Sequence, residues 1–261
     1  MKYGFIGCGN MGGAIAVALS KATKDIAITD RSGKAKSMAT ELGCLYTDVN
    51  TVVSTCDRIF LAVKPQMMAE VLVPLQKALA ERKPMLITMA AGLTISKIKS
   101  FAGVALPIVR IMPNTPVSVG KGMIPYCFND SVSAADLEDL VQDLRFAGKM
   151  DSLEETLIDA ATALSGSGPA YAYLFLEALA DAAVACGMDR EKALQYAAVT
   201  LAGAAEVAIT SSKTPKELKD AVCSPGGSTI RGIDVLEQQG FRTIVADCVN
   251  AAYQRNIELG K

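Results

Sequence analysis

The chain has 261 residues, 51% hydrophobic and 20% charged, with 26 basic against 27 acidic side chains and no histidine. Without an imidazole it has no Ser-His-Asp or Cys-His relay, no His-ligated zinc and no His proton shuttle. Scattered basic residues, a net charge of −1, 5% aromatics and no tryptophan give it neither the electrostatic footprint nor the stacking surface of a nucleic-acid binder.

From the N-terminus, short aliphatic runs alternate with helical patterns. Strands are predicted at residues 2–7, 25–29, 58–63, 85–90 and 108–112, and amphipathic helices at 33–42 and 66–81. This alternation predicts an α/β fold, an N-terminal Rossmann-type dinucleotide-binding domain with a mostly parallel sheet, over residues 1–150. Beyond Ser152 the strand signal stops. Helices are predicted at 154–164, 169–186, 189–211, 215–222, 229–239 and 241–259, an all-α C-terminal domain over residues 151–261. Pro169 and Pro215 sit at first-turn positions, and Asp189 is a cap candidate.

The alanine-rich run at 171–186 has little polar outer surface, so it is expected to bury more than one face, inside its domain or across a subunit interface. Residues 170–186 form the most apolar long run, but Glu177 and Asp181 within it, and its length, argue against a membrane span. Seven cysteines without a CxxC pair suit reduced, mostly buried thiols in a cytoplasmic protein. Glycines between Gly7 and Gly13 break the apolar stretch that imitates a secretory signal near the start.

Gly7-Cys8-Gly9-Asn10-Met11-Gly12 follows the first predicted strand and opens a helix, the context a dinucleotide fingerprint requires. Gly7 permits the tight turn, Gly9 lets a pyrophosphate approach the backbone, and Gly12 lets helix and strand pack closely. About twenty residues on, where cofactor choice is made, stand Asp30, Arg31 and Ser32. Asp30 suits the ribose hydroxyls of NAD, whereas Arg31 and Ser32 suit the 2′-phosphate of NADP, so the residues point both ways. Three more loops follow predicted strand ends: Ala62-Val63-Lys64-Pro65, Ala90-Ala91-Gly92 and Met112-Pro113-Asn114-Thr115-Pro116. Together they favour a site at the carboxyl edge of the sheet, with room for a nicotinamide ring and an Asn114 amide that both donates and accepts.

In the helical half, Ser165-Gly166-Ser167-Gly168-Pro169 and Ser224-Pro225-Gly226-Gly227-Ser228-Thr229 are hydroxyl- and glycine-rich loops ending at predicted helix starts, which either cap those helices or, the more so for the second, hold an anion such as a small carboxylate. No metal site is predicted. Glu177 and Asp181, one turn apart, are read as solvated or interface carboxylates.

The motifs GCGNMG, LAVKPQ at 61–66, MAAG at 89–92, RIMPNTP at 110–116, LSGSGPAY at 164–171 and SPGGSTI at 224–230 resemble, in this order and over essentially the whole chain, the pyrroline-5-carboxylate reductases. The resemblance implies reduction of 1-pyrroline-5-carboxylate to L-proline, the last step of proline biosynthesis, with NADPH favoured and NADH possible. It implies substrate contacts by Val222, Ser224, Gly226, Gly227, Ser228 and Thr229, with Thr229 the catalytic hydroxyl nearest the ring nitrogen. It also implies cofactor contacts by Asn10, Met11, Ala62, Lys64, Pro65, Ala90 and Asn114, and a homodimer or a higher homo-oligomer such as a decamer. Ser211, Ser212 and Lys213 lack the acidic residue that some members carry at this point.

A cyclic imine is basic and can enter protonated, so no strong general acid is required, and the protein's work is orientation. Two alternatives remain: a related dehydrogenase or imine reductase acting on another small carboxylate, and a non-catalytic nucleotide-binding oligomer. A hydroxyacid dehydrogenase of the kind that uses a lysine base in its helical half is disfavoured, because no lysine lies between Pro169 and Lys192.

Overall fold

A computed structural model describes residues 1–31 and 33–259 of the chain. It divides into two compact units: one comprises Met1–Ser167 and Ala252–Lys261, the other Gly168–Ala251. The expected boundary after residue 150 instead falls inside the last strand of the first unit, because that strand and the short helical turns after it pack on the sheet.

The five predicted strands are present as β1 (Tyr3–Ile6), β2 (Ile26–Thr29), β4 (Arg58–Leu61), β5 (Met85–Thr88) and β6 (Ile108–Ile111). Three more were not predicted: β3 (Leu45–Tyr46), β7 (Gly122–Phe128) and β8 (Gly148–Ser152). β3 has two exposed residues, too short for a pattern, and β8 carries Lys149 and Asp151 on a half-exposed edge. The order is β3-β2-β1-β4-β5-β6-β7-β8, parallel throughout except that β7 runs antiparallel to β6. β1 pairs with β2 on one side and β4 on the other, so the strand order reverses there, the switch point at which such sheets bind ligands.

Every residue of β1, β4, β5 and β6 is buried, as central strands covered on both faces require. Side chains alternate between two cores. Phe60 joins Phe5, Val109 and Ile111 on one face, while Ile59 and Leu61 join Leu86 and Ile108 on the other. The Phe5 and Phe60 rings stack at 4.5 Å. The first face is covered by α1 (Asn10–Leu19), α2 (Lys34–Leu42) and α7 (Ala134–Leu144), the second by α3 (Val49–Thr55), α4 (Met68–Leu72), α5 (Gln76–Arg82) and α6 (Ile95–Ala102).

The single helix expected over residues 66–81 is broken into α4 and α5 by 3-10 turns, because Pro74 lacks the N–H that a continuous helix needs. Helices α3, α6 and α7 escaped the sequence reading although each has a side-chain cap: Asp48 accepts the Asn50 and Thr51 N–H groups, Thr94 that of Lys97, and Ser133 that of Asp136. Two central strands hold buried arginines. Arg58 pairs with Asp136 at 2.8 Å and Asp139 at 3.2 Å, and Arg110 with Glu155 at 3.3 Å and Asp159 at 3.1 Å. Asp159 lies on the short α8 (Ile158–Ala161), which Arg110 thereby holds to β6.

In the second unit α9 (Gly168–Ala185) and α10 (Arg190–Thr210) pack together, followed by α11 (Pro215–Val222), α12 (Ser228–Gln238) and α13 (Phe241–Leu259), whose end belongs to the first unit. Asp189 caps α10 as expected, and Thr214 with Glu217 forms a capping box at α11. Ala180 is the one buried residue of α9, and Ala193 and Ala197 those of α10. α10 is long and apolar enough to cross a membrane by length and composition, although residues 170–186 were read as the most apolar run.

Candidate functional site

β1 ends at Ile6, and the backbone turns at Gly7 with φ +94°, which an L side chain rarely adopts. A Cβ at Gly7 would also lie 2.6 Å from the Ala62 carbonyl oxygen, so the loop closes on the end of β4. α1 follows with Gly9 as an N-cap that supplies no side-chain hydrogen bond. The Gly13 N–H makes a helical bond to the Gly9 carbonyl at 2.8 Å, and the N–H groups of Asn10, Met11 and Gly12 precede it in the open first turn. Gly9 and Asn10 are exposed, and a Cβ built on Gly9 meets nothing within 4 Å. At Gly12 a Cβ would be 2.7 Å from the Ala62 Cβ and 2.9 Å from the Gly7 oxygen, so helix and loop pack there without room for a methyl group.

β2 delivers Asp30 beside this loop, where one carboxylate oxygen accepts the Cys8 N–H at 2.7 Å. Burial, and then the Asp30 charge, push the Cys8 thiol up to about 11, which keeps it a neutral packing group. Arg31 extends outward and pairs with Glu70 of α4 at 2.7 Å. Ser32 lies outside the described residues.

Ala62 and Val63 are half-buried after β4, Lys64 is exposed, and Pro65 starts a 3-10 turn closed by the Met67 N–H on the Lys64 carbonyl at 2.9 Å. After β5, Ala90 is buried and its N–H meets the Thr88 hydroxyl at 3.3 Å, while Gly92 turns at φ +75°. β1, β2, β4, β5 and β6 are parallel, so these loops and Asn114 emerge at one edge of the sheet.

The Asn114 amide already has two partners within the protein. Its oxygen accepts the Met123 N–H at 2.9 Å and its nitrogen donates to the Ser165 carbonyl at 3.0 Å. The amide read as a ligand contact is engaged within the fold, where it ties the loop after β6 to β7.

A π-helical turn spans Thr162–Gly166; the Ser165 hydroxyl donates to the Ala161 carbonyl at 2.8 Å and the Ser167 N–H to the Thr162 carbonyl at 3.0 Å. The Ser165 hydroxyl and the Ser167 N–H are thus engaged with the backbone, which favours the local structural reading of this segment over the anion reading.

In the second unit, residues 224–227 form an exposed turn that leads into a helix. Gly226 has φ +72°, the Gly227 N–H bonds to the Ser224 carbonyl at 3.0 Å, and a Cβ on Gly227 would strike the Ser224 hydroxyl at 2.4 Å. α12 begins at Ser228, one residue earlier than expected, behind a Gly227 cap without a side-chain bond. Val222, Ser224, Gly226, Ser228 and Thr229 are all exposed. Three hydroxyls and an uncapped helix N-terminus thus stand together, an arrangement suited to a carboxylate.

A concavity of about 470 Å³ on α12 and α13, bounded by Ile233, Leu236, Phe241 and Val245, does not include this loop. Asp181 pairs with Arg190 rather than with Glu177. Cys8, Cys56 and Cys127 are buried, but Cys44, Cys223 and Cys248 are half-buried and Cys186 is exposed, so fewer of the thiols are buried than expected.

A dinucleotide fits the first-unit loop: the space beside Gly9 is what a Cβ would enter, and the helix N–H groups border it. Sequence reasoning missed Glu70, because a single acidic residue in a helical stretch gives no signal until its partner is known. It also missed the Asn114 tether, which depends on a π turn about fifty residues away.

Residues 155–259 match the family described as pyrroline-5-carboxylate reductase dimerisation, and residues 2–92 that described as NADP oxidoreductase coenzyme F420-dependent. The chain is 37% identical over 258 residues to the pyrroline-5-carboxylate reductase of Aquifex aeolicus, covering 98% of this chain and 96% of that protein. It is 35% identical to the Escherichia coli pyrroline-5-carboxylate reductase, covering 100% of this chain and 98% of that one. Among solved structures, pyrroline carboxylate reductase of Plasmodium falciparum with NADP bound matches with a TM-score of 0.90 and 34% identity, covering 100% of this chain and 98% of that one.

Proposed function

The chain belongs to the pyrroline-5-carboxylate reductase family, and from that premise we propose that it reduces 1-pyrroline-5-carboxylate to L-proline with NADPH. The observation that carries this reading is that one chain holds two uncapped, glycine-preceded helix starts: the GCGNMG turn into α1 and the SPGGST turn into α12. The first suits a pyrophosphate and the second a small carboxylate.

When bound, the nicotinamide supplies a hydride. The protein holds and orients. Gly7, Gly9, Asn10, Met11 and Gly12 take the pyrophosphate, and Asp30 and Arg31 the adenosine ribose, while Ala62, Val63, Lys64, Pro65, Ala90 and Gly92 line the rest of the cofactor path. Ser224, Gly226, Gly227 and Ser228 hold the substrate carboxylate, Val222 lines the ring, and the Thr229 hydroxyl bonds the imine nitrogen. Because the imine is protonated before reduction, the chemistry needs no imidazole, which agrees with a chain of 261 residues that has none.

The active form is a homodimer or a larger homo-oligomer, and the protein is cytoplasmic. Leu174, Tyr196, Val199, Ile209 and Ile244 are each more than 60% exposed in the single chain. Large apolar side chains exposed along these helices suit a partner, and a second copy also accounts for the sparse burial of α10. The test is loss of NADPH absorbance on addition of 1-pyrroline-5-carboxylate, with Thr229→Ala in parallel. Turnover that falls in the variant without loss of cofactor binding supports the reading; no turnover in folded wild-type protein overturns it.

A further inference from the structure

We propose that Glu70 sets the discrimination between NADPH and NADH by competing with the adenosine 2′-phosphate for the Arg31 guanidinium. The inference rests on the nucleotide reading above and extends it to a residue outside every motif.

Asp30 is fixed by its bond to the Cys8 N–H, so the chain leaves β2 in a set direction, and Arg31 follows at once. In folds of this kind an acidic residue here meets the ribose hydroxyls, and an arginine nearby meets the extra phosphate. In this chain the arginine already has an anion. Glu70 Oε1 lies 2.7 Å from Arg31 Nη2, and both side chains are well exposed, at 61% and 71%. Glu70 stands on α4, directly after the cofactor loop 62–65, and the 3-10 turn between them anchors it.

Carboxylate and phosphate oxygens seek the same donors on a guanidinium, and both prefer its two-pronged edge. A 2′-phosphate reaching Arg31 must displace Glu70 or share the cation with it at close range. A ribose with a free 2′-hydroxyl leaves the pair intact. The pair therefore weakens NADPH selectively, and because both partners are exposed the effect is a few-fold bias.

The test is the dissociation constant of NADPH and of NADH from nucleotide fluorescence, without imine, for the wild type, Glu70→Gln, Arg31→Ala and the double variant. Glu70→Gln is expected to tighten NADPH about three- to fivefold and NADH by less than about twofold. In the Arg31→Ala background the same substitution is expected to change nothing, since the competition runs through the guanidinium. An unchanged NADPH-to-NADH ratio in Glu70→Gln overturns the proposal while leaving the enzyme reading intact. An equal tightening in the Arg31→Ala background also overturns it, because that result would be a general charge effect. Wild-type protein that binds neither dinucleotide overturns the nucleotide reading, and the role of Glu70 with it.

Discussion

The Asp30 carboxylate accepts the Cys8 backbone N–H at 2.7 Å and so binds the end of β2 to the glycine loop 22 residues earlier. On the proposed function, the residue that meets the ribose hydroxyls also shapes the turn offered to the pyrophosphate. Asp30→Ala is expected to weaken NADPH and NADH together, by about tenfold or more, the scale of a hydrogen bond to a charged group. Fluorescence titration with both nucleotides checks this. A loss confined to one of them would separate the two roles and contradict the coupling.

Gly9 and Gly12 are three residues apart and should behave differently. A Cβ on Gly9 meets nothing in the protein, so Gly9→Ala should leave the melting temperature unchanged and weaken the dinucleotide. Gly12→Ala drives a methyl into Ala62 and the Gly7 carbonyl, and should cost about 1–3 kcal/mol of stability, as overpacking does. Paired thermal melts and titrations check both. Equal loss of stability in the two variants would contradict the assignment of Gly9 to the ligand side.

Stability should be flat between about pH 5 and pH 8, because no side chain in the protein titrates there at its ordinary pKa. On the acid side, Asp136 is held below the usual carboxylate range, first by the Ser133 hydroxyl and then by Arg58. A depressed carboxylate contributes its stability above its unfolded value of about 3.9 and loses it as pH falls through the folded one. On the alkaline side, burial pushes the Cys8 thiol up to about 11 and the Cys127 thiol up to about 12. A raised thiol contributes fully below its unfolded value of about 8.5 and loses that contribution as pH rises toward the folded one. Melting temperature against pH should show a plateau with both flanks; an unfolding step near pH 6.5 would contradict it.

Leu174 and Ile209 are 69% and 78% exposed, so charging them should not unfold a single chain. Leu174→Glu together with Ile209→Glu is expected to yield a monomer by light scattering, with helicity retained and turnover lost. An unchanged oligomer mass would place the interface elsewhere on the second unit.

The sheet was legible where the sequence wrote it in β-branched residues, as in Ile26-Ala27-Ile28-Thr29, and where glycine forced a turn, as at Gly7. It was illegible at β3, too short for a period, and at β8, whose lysine and aspartate read as a loop. Arg58 and Arg110 were counted within strands but not as buried charges, since their carboxylate partners lie far along the chain. At the site, the glycine loops were readable because backbone conformation is a local property. The bonds of Asn114 to Met123 and Ser165 were not, because the partners of a side-chain amide are set by the tertiary fold.

Hydride delivery to the imine carbon of 1-pyrroline-5-carboxylate is followed with NADPH carrying deuterium on the transferring face of nicotinamide C4. One deuterium is expected at C5 of the L-proline formed, in proportion to NADPH consumed. Deuterium at the α-carbon, or NADPH binding with no labelled proline, would contradict it.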